Sequence, residues 1–386
     1  MANIYGNAGK NRLIGTTSDD RIVARAGNDT INGNGGRDVI FGGDGDDFIY
    51  LGNYGVYPTV FGSHVDGGAG YDRATLYLQN FTQNLSLTSA HSRVSADMGD
   101  GTTQTVTALK SIEELYVYFG SGNDLFQSNG GKAYVFGGAG QDRLFGGAQY
   151  DYLNGGADDD RLYGYGGNDL LAGDNGDDRI YGGDGKDTLL GGAGDDRIWC
   201  EAGDDLAYGG AGADIIFGGD GRDTLNGDGD GDRLYGDAGD DRLDGWEGDD
   251  LLYGEDGNDL VSGGGGIDRL YGGLGSDDLV GGLGHDRFVW LSPAEGGDIV
   301  HDFQQGQDKL VFDSAGFGGI TGVDASNFVS NSVGAAKDAA DRFLFSQSTG
   351  ALFFDPDGNG AAAKTLIAHI DFAVGTELTV TDFVIV

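Results

Sequence analysis

The chain of 386 residues has little cysteine, little proline and little positive charge. Cys200 is the single cysteine, so no intramolecular disulfide can form, and small disulfide-stapled folds are excluded. Lysine and arginine number 23 against 63 aspartates and glutamates, which gives a formal charge of −40. Such a charge disfavours binding to nucleic acid and to anionic membrane surfaces, and it suits the binding of cations.

Long apolar runs and an amino-terminal targeting signal are missing as well. No segment approaches the roughly 18 consecutive apolar residues of a membrane-spanning helix. Residues 1–7 do not show the charged-then-apolar pattern of a secretory signal. We therefore expect a chain that stays in the cytosol or is exported by a route that needs no amino-terminal signal.

Glycine is abundant instead, with 78 residues, and it recurs at a fixed period. Residues 119–289 divide into nineteen consecutive rows of nine residues. The sixth column is Asp in every row except one, where Ala133 replaces it, and the eighth column is apolar in all rows. A shorter array of five rows covers residues 6–50, and a lone row begins at 67–72.

These rows resemble the repeats-in-toxin (RTX) family, also called haemolysin-type calcium-binding repeats. Independently of that resemblance, the apolar eighth column fits a very short strand with one inward side chain, and the glycines of the first, second and fourth columns permit turns. Two rows then make one coil of eighteen residues, and coils stacked about 4.8 Å apart give a rod roughly 45 Å long. We predict an all-β fold: a right-handed parallel β-roll with a β-solenoid insertion and an all-β C-terminal capping and secretion domain.

The sixth-column aspartates pose an electrostatic problem. Carboxylates one coil apart, such as those of Asp160 and Asp178, would repel each other by roughly 3 kcal/mol at about 4.8 Å and an effective dielectric constant near 20. Over the whole array this repulsion exceeds the ~5–15 kcal/mol stability of an ordinary domain, so the metal-free roll should not fold. Carboxylates and loop carbonyls are hard oxygen ligands in flexible turns, which favours Ca²⁺ over zinc or magnesium. The alternative is that these aspartates only form Asx turns and need no metal.

In the RTX family the sixth-column Asp and the turn carbonyls are the calcium ligands, and the resemblance carries this role to the matching positions here. The metal ligands that it predicts are Asp38, Asp47, Asp124, Asp142, Asp151, Asp160, Asp169, Asp178, Asp187, Asp196, Asp205, Asp214, Asp223, Asp232, Asp241, Asp250, Asp259, Asp268, Asp277 and Asp286. The row of Ala133 should lose a site, and Gln149, which replaces a fourth-column glycine, should distort the turn around Asp151. The first rows, with Asn11 in the sixth column, should bind calcium poorly.

A second period of eighteen residues runs inside the array. In alternate rows the ninth column holds the residues that we call the aromatic ladder: Phe145, Tyr163, Tyr181, Trp199, Phe217, Tyr235, Tyr253 and Tyr271. The seventh column of the same rows mostly holds the residues that we call the arginine ladder: Arg143, Arg161, Arg179, Arg197, Arg233, Arg269 and Arg287. Both ladders should face outward from one sheet, because the eighth column points inward. The opposite sheet should have no such ladder.

Three interpretations of this outer face stay open. The rings and arginines could stabilise neighbouring strands, with each guanidinium group against a ring or a carboxylate. The face could instead be a docking surface for another part of the chain or for another copy of it. It could also be a flat strip that binds carbohydrate.

The remaining sequence divides the chain into N-terminal repeats (1–50), an insertion (51–118), the main β-roll (119–289) and a C-terminal region (290–386). Alternating stretches in the insertion predict wider solenoid coils with protruding loops, and those after residue 290 predict an all-β cap over the last coil. The predicted strands of the two regions lie at 74–78, 84–87, 112–118, 308–312, 342–345, 351–354 and 365–370.

Three smaller features complete the sequence. Residues 381–386 place an acidic residue before a short apolar terminus, which resembles the C-terminal signal of type I secretion substrates. Residues 355–360 open like a calcium loop, but Leu366 stands where an EF-hand requires Glu, so a turn is expected. His64 and His91 belong to no His-spacing motif and are expected to be surface residues.

Together these features predict a secreted, extracellular protein, bacterial by resemblance, that is unfolded in the calcium-poor cell and folds as external calcium binds. No nucleophile elbow, zinc-peptidase helix or phosphate loop is present, so a non-catalytic surface, matrix or polysaccharide-binding role is favoured. The expected partners are calcium ions, a type I exporter that reads the C-terminus, and extracellular polysaccharide or other copies of the chain at the aromatic ladder. The alternative is a polysaccharide lyase or epimerase whose site lies on the coils of 51–118.

Overall fold

The computed structural model describes residues 1–51, 63–79, 85–90, 93–97, 103–128, 131–358, 362–371 and 377–386. These residues form two compact units, Met1–Ala193 and Gly194–Val386. The described residues contain β-strands and two short 3₁₀ turns, Pro293–Glu295 and Val380–Asp382, and no α-helix. In this described part of the chain, no helix has the length and apolar character needed to cross a bilayer. The predicted all-β fold is therefore confirmed.

The first unit is built from short strands that follow one another at intervals of about one row. In chain order these strands are β1 (Asn3–Tyr5), β2 (Arg12–Ile14), β3 (Arg21–Ala26), β4 (Thr30–Asn32), β5 (Val39–Asp44), β6 (Phe48–Leu51), β7 (Ser63–Ala69), β8 (Arg73–Tyr77), β9 (Ser86–Ala90), β10 (Arg93–Asp97), β11 (Thr103–Lys110), β12 (Glu114–Tyr118), β13 (Leu125–Gln127), β14 (Lys132–Ala139), β15 (Arg143–Gly147), β16 (Tyr152–Ala157), β17 (Arg161–Gly166), β18 (Leu170–Asn175), β19 (Arg179–Asp184) and β20 (Thr188–Ala193).

Successive strands of the array alternate between two sheets, and each pairs in parallel with the strand one coil away. In the first unit, β15, β17 and β19 form the sheet that carries both ladders, which we call the ladder sheet. Strands β14, β16, β18 and β20 form the opposite sheet. Arg143 lies opposite Arg161, eighteen residues on, and Leu144 lies opposite Leu162. Because the period of the sequence equals the length of the coil, equivalent columns stack on one another, as predicted.

The insertion continues this stacking and adds one strand of opposite direction. Strand β7 pairs in parallel with β5 and β11, and β8 pairs in parallel with β6 and β12. Strand β10, however, pairs antiparallel with both β9 and β11. Solenoid coils are therefore present, but β10 was not predicted, because alternating apolar residues specify a strand and not its direction.

Where the insertion rejoins the array, strands β12 and β14 each bury two inward apolar side chains. Leu115 of β12 lies opposite Ala133 of β14, and Val117 lies opposite Val135. All four of these side chains are buried. Ala133 holds the sixth column inside strand β14, whereas the sixth-column aspartates of the later rows lie in the turn directly before their strand.

The second unit repeats the same construction and ends in irregular strands. In chain order its strands are β21 (Arg197–Ala202), β22 (Leu206–Ala211), β23 (Ile215–Asp220), β24 (Thr224–Gly229), β25 (Arg233–Ala238), β26 (Arg242–Glu247), β27 (Leu251–Asp256), β28 (Leu260–Gly266), β29 (Arg269–Leu274), β30 (Asp278–Gly284), β31 (Arg287–Trp290), β32 (Asp298–Val300), β33 (Lys309–Phe312), β34 (Phe328–Asn331), β35 (Phe343–Ser346), β36 (Ala351–Phe354), β37 (Thr365–Ile370) and β38 (Phe383–Ile385). Strands β21 to β29 with odd numbers form its ladder sheet.

The core between the sheets is a single file of eighth-column side chains. Leu144 and Leu162 in the first unit and Leu234 and Leu252 in the second are fully buried. Burying a Leu side chain contributes roughly 1.5–3 kcal/mol, so this column supplies most of the hydrophobic stabilisation of each coil. Because this core is only one side chain thick, the charge carried by the turns has a large influence on the stability of the fold.

The tail extends both sheets of the second unit and then closes over them. Strands β31, β33 and β38 pair in parallel in the ladder sheet, while β35, β36 and β37 form an antiparallel series. Phe312 contacts the rings of Trp290, Phe317 and Phe343 at centroid distances of 5.3, 5.1 and 4.8 Å. This aromatic cluster is a second core, which the regular coils do not have.

Most strands predicted outside the array are present within two residues of the predicted bounds. The prediction at 84–87 overlaps β9, but residue 84 lies outside the described residues. A turn follows β36 at residues 356–358, as expected. His64 is exposed and makes an edge contact with the ring of Phe41, whereas His91 lies outside the described residues.

Candidate metal centres in the turns

All twenty predicted metal ligands lie at the same place in the coil, at the end of a turn and directly before a strand. Each is at most 3% exposed. In the array this burial follows from the glycine-rich turns, which fold over the carboxylate of their own row. Buried aspartates need hydrogen bonds or counter-charges, so the surroundings of their two oxygens decide what the turns can bind.

In both units, one oxygen of most of these carboxylates links two coils. The Oδ1 atom of Asp160 accepts a hydrogen bond from the backbone N–H of Asp142, one coil earlier, at 2.7 Å. In the second unit, Asp232 Oδ1 accepts in the same way from the N–H of Asp214 at 2.8 Å. The sixth column therefore forms a continuous series of side-chain-to-backbone hydrogen bonds within each unit.

The other oxygen, Oδ2, is buried without a hydrogen bond in many of these rows. We call such groups open carboxylates. Within the described residues they are Asp29, Asp47, Asp72, Asp124, Asp142, Asp160, Asp169, Asp214, Asp223, Asp232, Asp241, Asp250, Asp259, Asp268, Asp277 and Asp286. A buried acceptor without a partner costs about 1–3 kcal/mol, and more when it is charged, so a repeated series of them requires a compensating ligand.

In most rows the space beside the open Oδ2 is kept clear by the first-column glycine, although the rows of Asp29 and Asp124 begin with Ala24 and Phe119. A Cβ atom built on Gly137 would lie 2.2 Å from Asp142 Oδ2 and 2.5 Å from the carbonyl oxygen of Gly155, one coil later. On Gly245 it would lie 2.3 Å from Asp250 Oδ2 and 2.6 Å from the carbonyl oxygen of Gly263. A carboxylate oxygen and a backbone carbonyl oxygen thus converge on one small cradle that a side chain would fill.

The pKa values of several open carboxyl groups also show that ionising these buried groups is unfavourable. Burial, together with the negative charge of neighbouring rows, raises the pKa to about 8 for Asp142, Asp160 and Asp232, against the opposing effect of the backbone hydrogen bond. At neutral pH these groups would be mostly protonated in the folded chain if no cation were present. A bound cation would instead stabilise the ionised form.

The donor set fits a hard cation. In the part of the chain that the structure describes, no three acidic, histidine or cysteine side chains surround one point, so backbone carbonyls would have to supply most ligands. Calcium accepts carboxylate and carbonyl oxygens in flexible geometry, whereas zinc prefers nitrogen and sulfur, and magnesium demands a rigid octahedron. Open carboxylates and turn carbonyls therefore fit Ca²⁺ best.

Comparison with protein families agrees with this chemistry. The model of the RTX calcium-binding nonapeptide repeat (4 copies) matches overlapping segments that together cover residues 5–53 and 136–288, more than half of the chain. The chain belongs to this RTX family. Among the matched segments are 163–198 and 201–234, which include the rows of Asp169 and Asp214.

Several solved structures are similar to part of this RTX chain. Among them is the solution structure of the AlgE6R3 subunit of the Azotobacter vinelandii mannuronan C5-epimerase, at 24% identity, with a TM-score of 0.18. The similarity covers 41% of this chain and 78% of that one. A search of curated proteins gave no match.

Two positions depart from the RTX pattern, as the sequence indicated. At Ala133 no carboxylate is present, and its backbone N–H donates to Asp151 Oδ1 at 2.6 Å. Asp151 is also different, since its Oδ2 accepts a hydrogen bond from the N–H of Gly147 at 2.6 Å. We call such a group a capped carboxylate, because a protein donor occupies the place that a metal would take.

The structure adds residues that the sequence analysis did not propose as ligands. Asp29 and Asp72 are fully buried, and both are open carboxylates. Beside Asp72 the cradle of Gly67 is completed by the carbonyl oxygen of Ser111 from the insertion. The sixth-column position of Asp29 and the lone row 67–72 were the available signals, but neighbouring rows were too irregular for them to be used.

The far end of the series was also missed. Asp298 and Asp308 continue it, accepting hydrogen bonds from the N–H groups of Asp277 and Asp286 at 3.1 Å. Both are capped, because Asp298 Oδ2 accepts from Trp290 Nε1 at 2.7 Å and Asp308 Oδ2 from the N–H of Gln304 at 2.6 Å. No sequence pattern points to them, since their separations from the preceding Asp are 21 and 22 residues in place of eighteen.

The aromatic ladder is formed as predicted within each unit. Tyr163 stacks on Tyr181 at 4.6 Å between ring centroids in the first unit, and Tyr253 stacks on Tyr271 at 4.4 Å in the second. The prediction that the opposite sheet has no aromatic ladder is wrong near the insertion. There Tyr118, on the opposite sheet, stacks on Tyr77 and on Phe136.

The arginine ladder does not interact as the first interpretation requires. Its side chains are exposed or half-buried. In the described parts of both units, none of them forms an ion pair or a cation–π contact, whereas Arg21 and Arg73 do lie over aromatic rings. Among the contacts that the first interpretation invokes, this face therefore shows ring stacking, and the described ladder arginines contribute no ion pair or cation–π contact to it.

Proposed function

We propose that this RTX chain is a secreted protein that folds when calcium fills its turns and then acts outside the cell as a non-catalytic polysaccharide-binding or matrix protein. The observation that supports the proposal is the repeated open carboxylate, a buried oxygen with no protein donor beside a turn carbonyl. No other feature of the described residues recurs so often without being satisfied by the protein itself.

The predicted aspartates, with Asp29 and Asp72 added and Asp151 omitted, would hold the ions. A calcium ion in a turn supplies positive charge between carboxylates that otherwise repel. Sites of this oxygen-rich type in extracellular modules typically have dissociation constants of about 10⁻⁴–10⁻³ M. They would be empty at cytosolic calcium and filled outside, so binding free energy becomes folding free energy after export.

Far-ultraviolet circular dichroism of the purified chain at neutral pH tests this proposal. With chelator we expect a spectrum of unfolded chain, and with millimolar calcium a spectrum rich in strand. Magnesium at the same concentration is the control and should restore little of the signal. A strand-rich spectrum that chelator leaves unchanged would reject calcium-dependent folding.

Export is supported by the resemblance of residues 381–386 to type I secretion signals. In the folded chain part of this segment is β38, which pairs with β33. The test replaces 381–386 by polar residues and measures the fraction of chain secreted through a type I exporter. We expect retention in the cell, and unchanged secretion would contradict the proposal. Calcium-dependent folding of the purified variant is the control.

The choice between binder and enzyme depends on the insertion. Glu114, a buried acid there, accepts hydrogen bonds from Tyr71, Arg73 and Tyr116. Burial alone would raise the pKa of Glu114, but these hydrogen bonds hold it below the ordinary value. A carboxylate so fully engaged is a poor general base, because catalytic bases have pKa values near the working pH.

Incubation of the calcium-loaded chain with acidic and neutral polysaccharides distinguishes the two roles. Retention of polysaccharide without new reducing ends or unsaturated sugars supports the binder. Turnover would favour a lyase or epimerase instead.

A further inference from the structure

Six members of the arginine ladder form two compact groups of positive charge. In the first unit, strand register places Arg143 opposite Arg161 and Arg161 opposite Arg179. In the second unit, Arg269 lies opposite Arg287, and Arg233 lies two coils before Arg269, with Leu251 between them. Like charges on directly opposed residues are unfavourable in a sheet, so these groups need a compensating anion.

The protein does not supply that anion, although it is rich in acidic groups. Across the described residues, no member of the arginine ladder is in an ion pair. Three other exposed arginines do find carboxylates: Arg37 pairs with Asp19, Arg222 with Asp204 and Arg242 with Asp244. The ladder arginines are therefore unpaired because of their position on the sheet.

Each group of three lines a groove. In the first unit, a groove of about 300 Å³ is bounded by Arg143, Arg161 and Arg179, by the turn residues Asp124 and Asp142 and by the exposed Asp159. In the second unit, a groove of about 310 Å³ is bounded by Arg233, Arg269 and Arg287, by the turn residues Asp232 and Asp250 and by the exposed Asp249. Asp159 and Asp249 form no ion pair with these arginines, and the four buried turn residues are open carboxylates, so each groove lies between the arginine ladder and a series of candidate calcium sites.

We propose that these two grooves bind the carboxylate groups of an extended acidic polysaccharide, an inference that rests on the polysaccharide-binding function proposed above. A guanidinium group presents a planar fork of donors that matches a carboxylate in a bidentate pair. Three such forks on successive or alternate coils match a polymer whose sugars each carry an acid, and they do not match a single small anion.

The neighbouring aromatic ladder provides the second half of the site. Tyr163 and Tyr181 lie two residues beyond Arg161 and Arg179 on the same outer face, with ring centroids 4.6 Å apart. Half-buried tyrosine rings offer apolar faces and polar edges against which sugar rings can pack. Arginines would therefore select the charge of the polymer, while the rings contact its uncharged surface.

Calcium makes this site accessible to a polyanion. The metal-free chain has a formal charge of −40 and would repel an acidic polymer. One doubly charged ion at each of the sites proposed above would offset that charge. Binding of acidic polysaccharide should consequently require the calcium-loaded state, in which the turn walls of the grooves are neutralised.

The test compares two triple variants of the full chain in calcium. R143Q/R161Q/R179Q removes the ladder arginines of the first groove, and R37Q/R222Q/R242Q removes the same charge from the ion-paired arginines. Affinity for a fluorescent oligogalacturonate of defined length is measured by anisotropy at a fixed free calcium concentration. We expect the ladder variant to lose at least about tenfold in affinity, the equivalent of one strong charge-assisted contact, and the control variant to stay within about threefold of the parent.

The remaining outcomes separate this inference from the proposed function. Equal affinity of the two variants would overturn the assignment to the arginines. If a carboxyl-reduced oligosaccharide binds as well as the acidic one, the selection of carboxylates is wrong, although polysaccharide binding stands. If neither oligosaccharide binds the folded, calcium-loaded chain, the proposed function itself fails. Ladder-dependent binding of single-stranded DNA in preference to oligogalacturonate would reassign the grooves to nucleic acid. Circular dichroism of both variants in calcium verifies that they fold.

Discussion

The turns at 137–142 and 146–151 both begin with Gly-Gly-Ala and both end with Asp, yet their carboxylates have different surroundings. In the first turn, Gly138 and Gly140 have positive φ values of 103° and 110°, and Asp142 is an open carboxylate. In the second turn, neither Gly147 nor Gln149 has a positive φ, and the N–H of Gly147 caps Asp151. The fourth column, Gly in one turn and Gln in the other, is the difference that accounts for this.

In other rows, too, the sign of φ in the second column is related to whether the sixth-column Asp is open or capped. From residue 138 to residue 282 the second column has a positive φ in every row except that of Gly147, even where it is Tyr165 or Trp246. Near the amino end, Thr16 lacks a positive φ, and its N–H caps Asp20. Gly120 is an exception, since it lacks a positive φ while Asp124 remains open. The left-handed turn therefore turns an N–H donor away from the carboxylate and leaves room for a cation.

The largest effect that this comparison predicts concerns pH in the absence of calcium. In the folded chain, burial raises the pKa of many open carboxyl groups above the ordinary value near 4, for example to about 8 for Asp160 and about 6 for Asp250. Groups with a raised folded pKa stabilise the fold below the unfolded pKa, and this stability is lost as the pH rises through the folded pKa. In chelator, strand content should therefore be low at pH 8 and recover as the pH falls towards 4.

Circular dichroism from pH 8 to pH 4 in chelator measures this recovery. The same titration in millimolar calcium is the control and should start from a folded chain at pH 8. A chain that remains unfolded at pH 4.5 in chelator would show that charge on the open carboxylates is not what prevents folding.

The second prediction compares an open carboxylate with a capped one. Asp160→Asn should remove one calcium site, and at a calcium concentration about 100 times the dissociation constant this costs about 2.7 kcal/mol of stability. Asp151→Asn should weaken only hydrogen bonds to backbone N–H groups, for about 1 kcal/mol. Denaturant unfolding at several calcium concentrations gives both free energies.

The calcium dependence of these free energies distinguishes site loss from ordinary destabilisation. Relative to the parent chain, D160N should show a slope against the logarithm of calcium concentration that is smaller by one ion, and D151N an unchanged slope. Equal slopes for the two variants would mean that the cap on Asp151 does not exclude calcium.

A third prediction concerns the capped end of the series. Trp290→Phe keeps a buried ring but removes the Nε1 donor to Asp298, which should cost about 1–3 kcal/mol because a buried carboxyl oxygen is left without its hydrogen bond. Trp246→Phe, at a side chain that is 55% exposed, is the matched control and should have little effect. Thermal unfolding in saturating calcium compares them, and similar losses for both would contradict a capping role for Trp290.

Much of the fold and the site could be predicted from residues that repeat. A nine-residue period with an apolar eighth column determines the coil length, the parallel register and the thin core, as Leu144 opposite Leu162 illustrates. The repeated positions of Asp and Gly likewise predicted where the carboxylates of the turns lie. These features depend on local geometry that is the same in every row, so one row predicts the next.

What could not be predicted depends on breaks in the period. The antiparallel strand β10 and the inward position of Ala133 arise where the insertion changes the register. The caps on Asp298 and Asp308 come from Trp290 and Gln304, which lie outside any repeat. Such contacts depend on how the chain folds back on itself, and composition and spacing do not specify that.

The smallest predicted effect is also the most direct test of the comparison. Gln149→Gly would give the second turn the same Gly-Gly-Ala-Gly start as the first, so Gly147 could adopt a positive φ and withdraw its N–H from Asp151. At low calcium the variant should be less stable by about 0.4–1 kcal/mol, because glycine adds freedom to the unfolded chain and a hydrogen bond is lost.

At high calcium the sign should reverse, since a newly open Asp151 can take one more ion. The slope of unfolding free energy against the logarithm of calcium concentration should rise by one ion in Q149G and return to the parent value in Q149G/D151N. Gln149→Ala is the control, because alanine shortens the side chain without permitting the left-handed turn. If Q149A and Q149G behave alike, the backbone conformation of the fourth column does not decide whether a turn is open or capped.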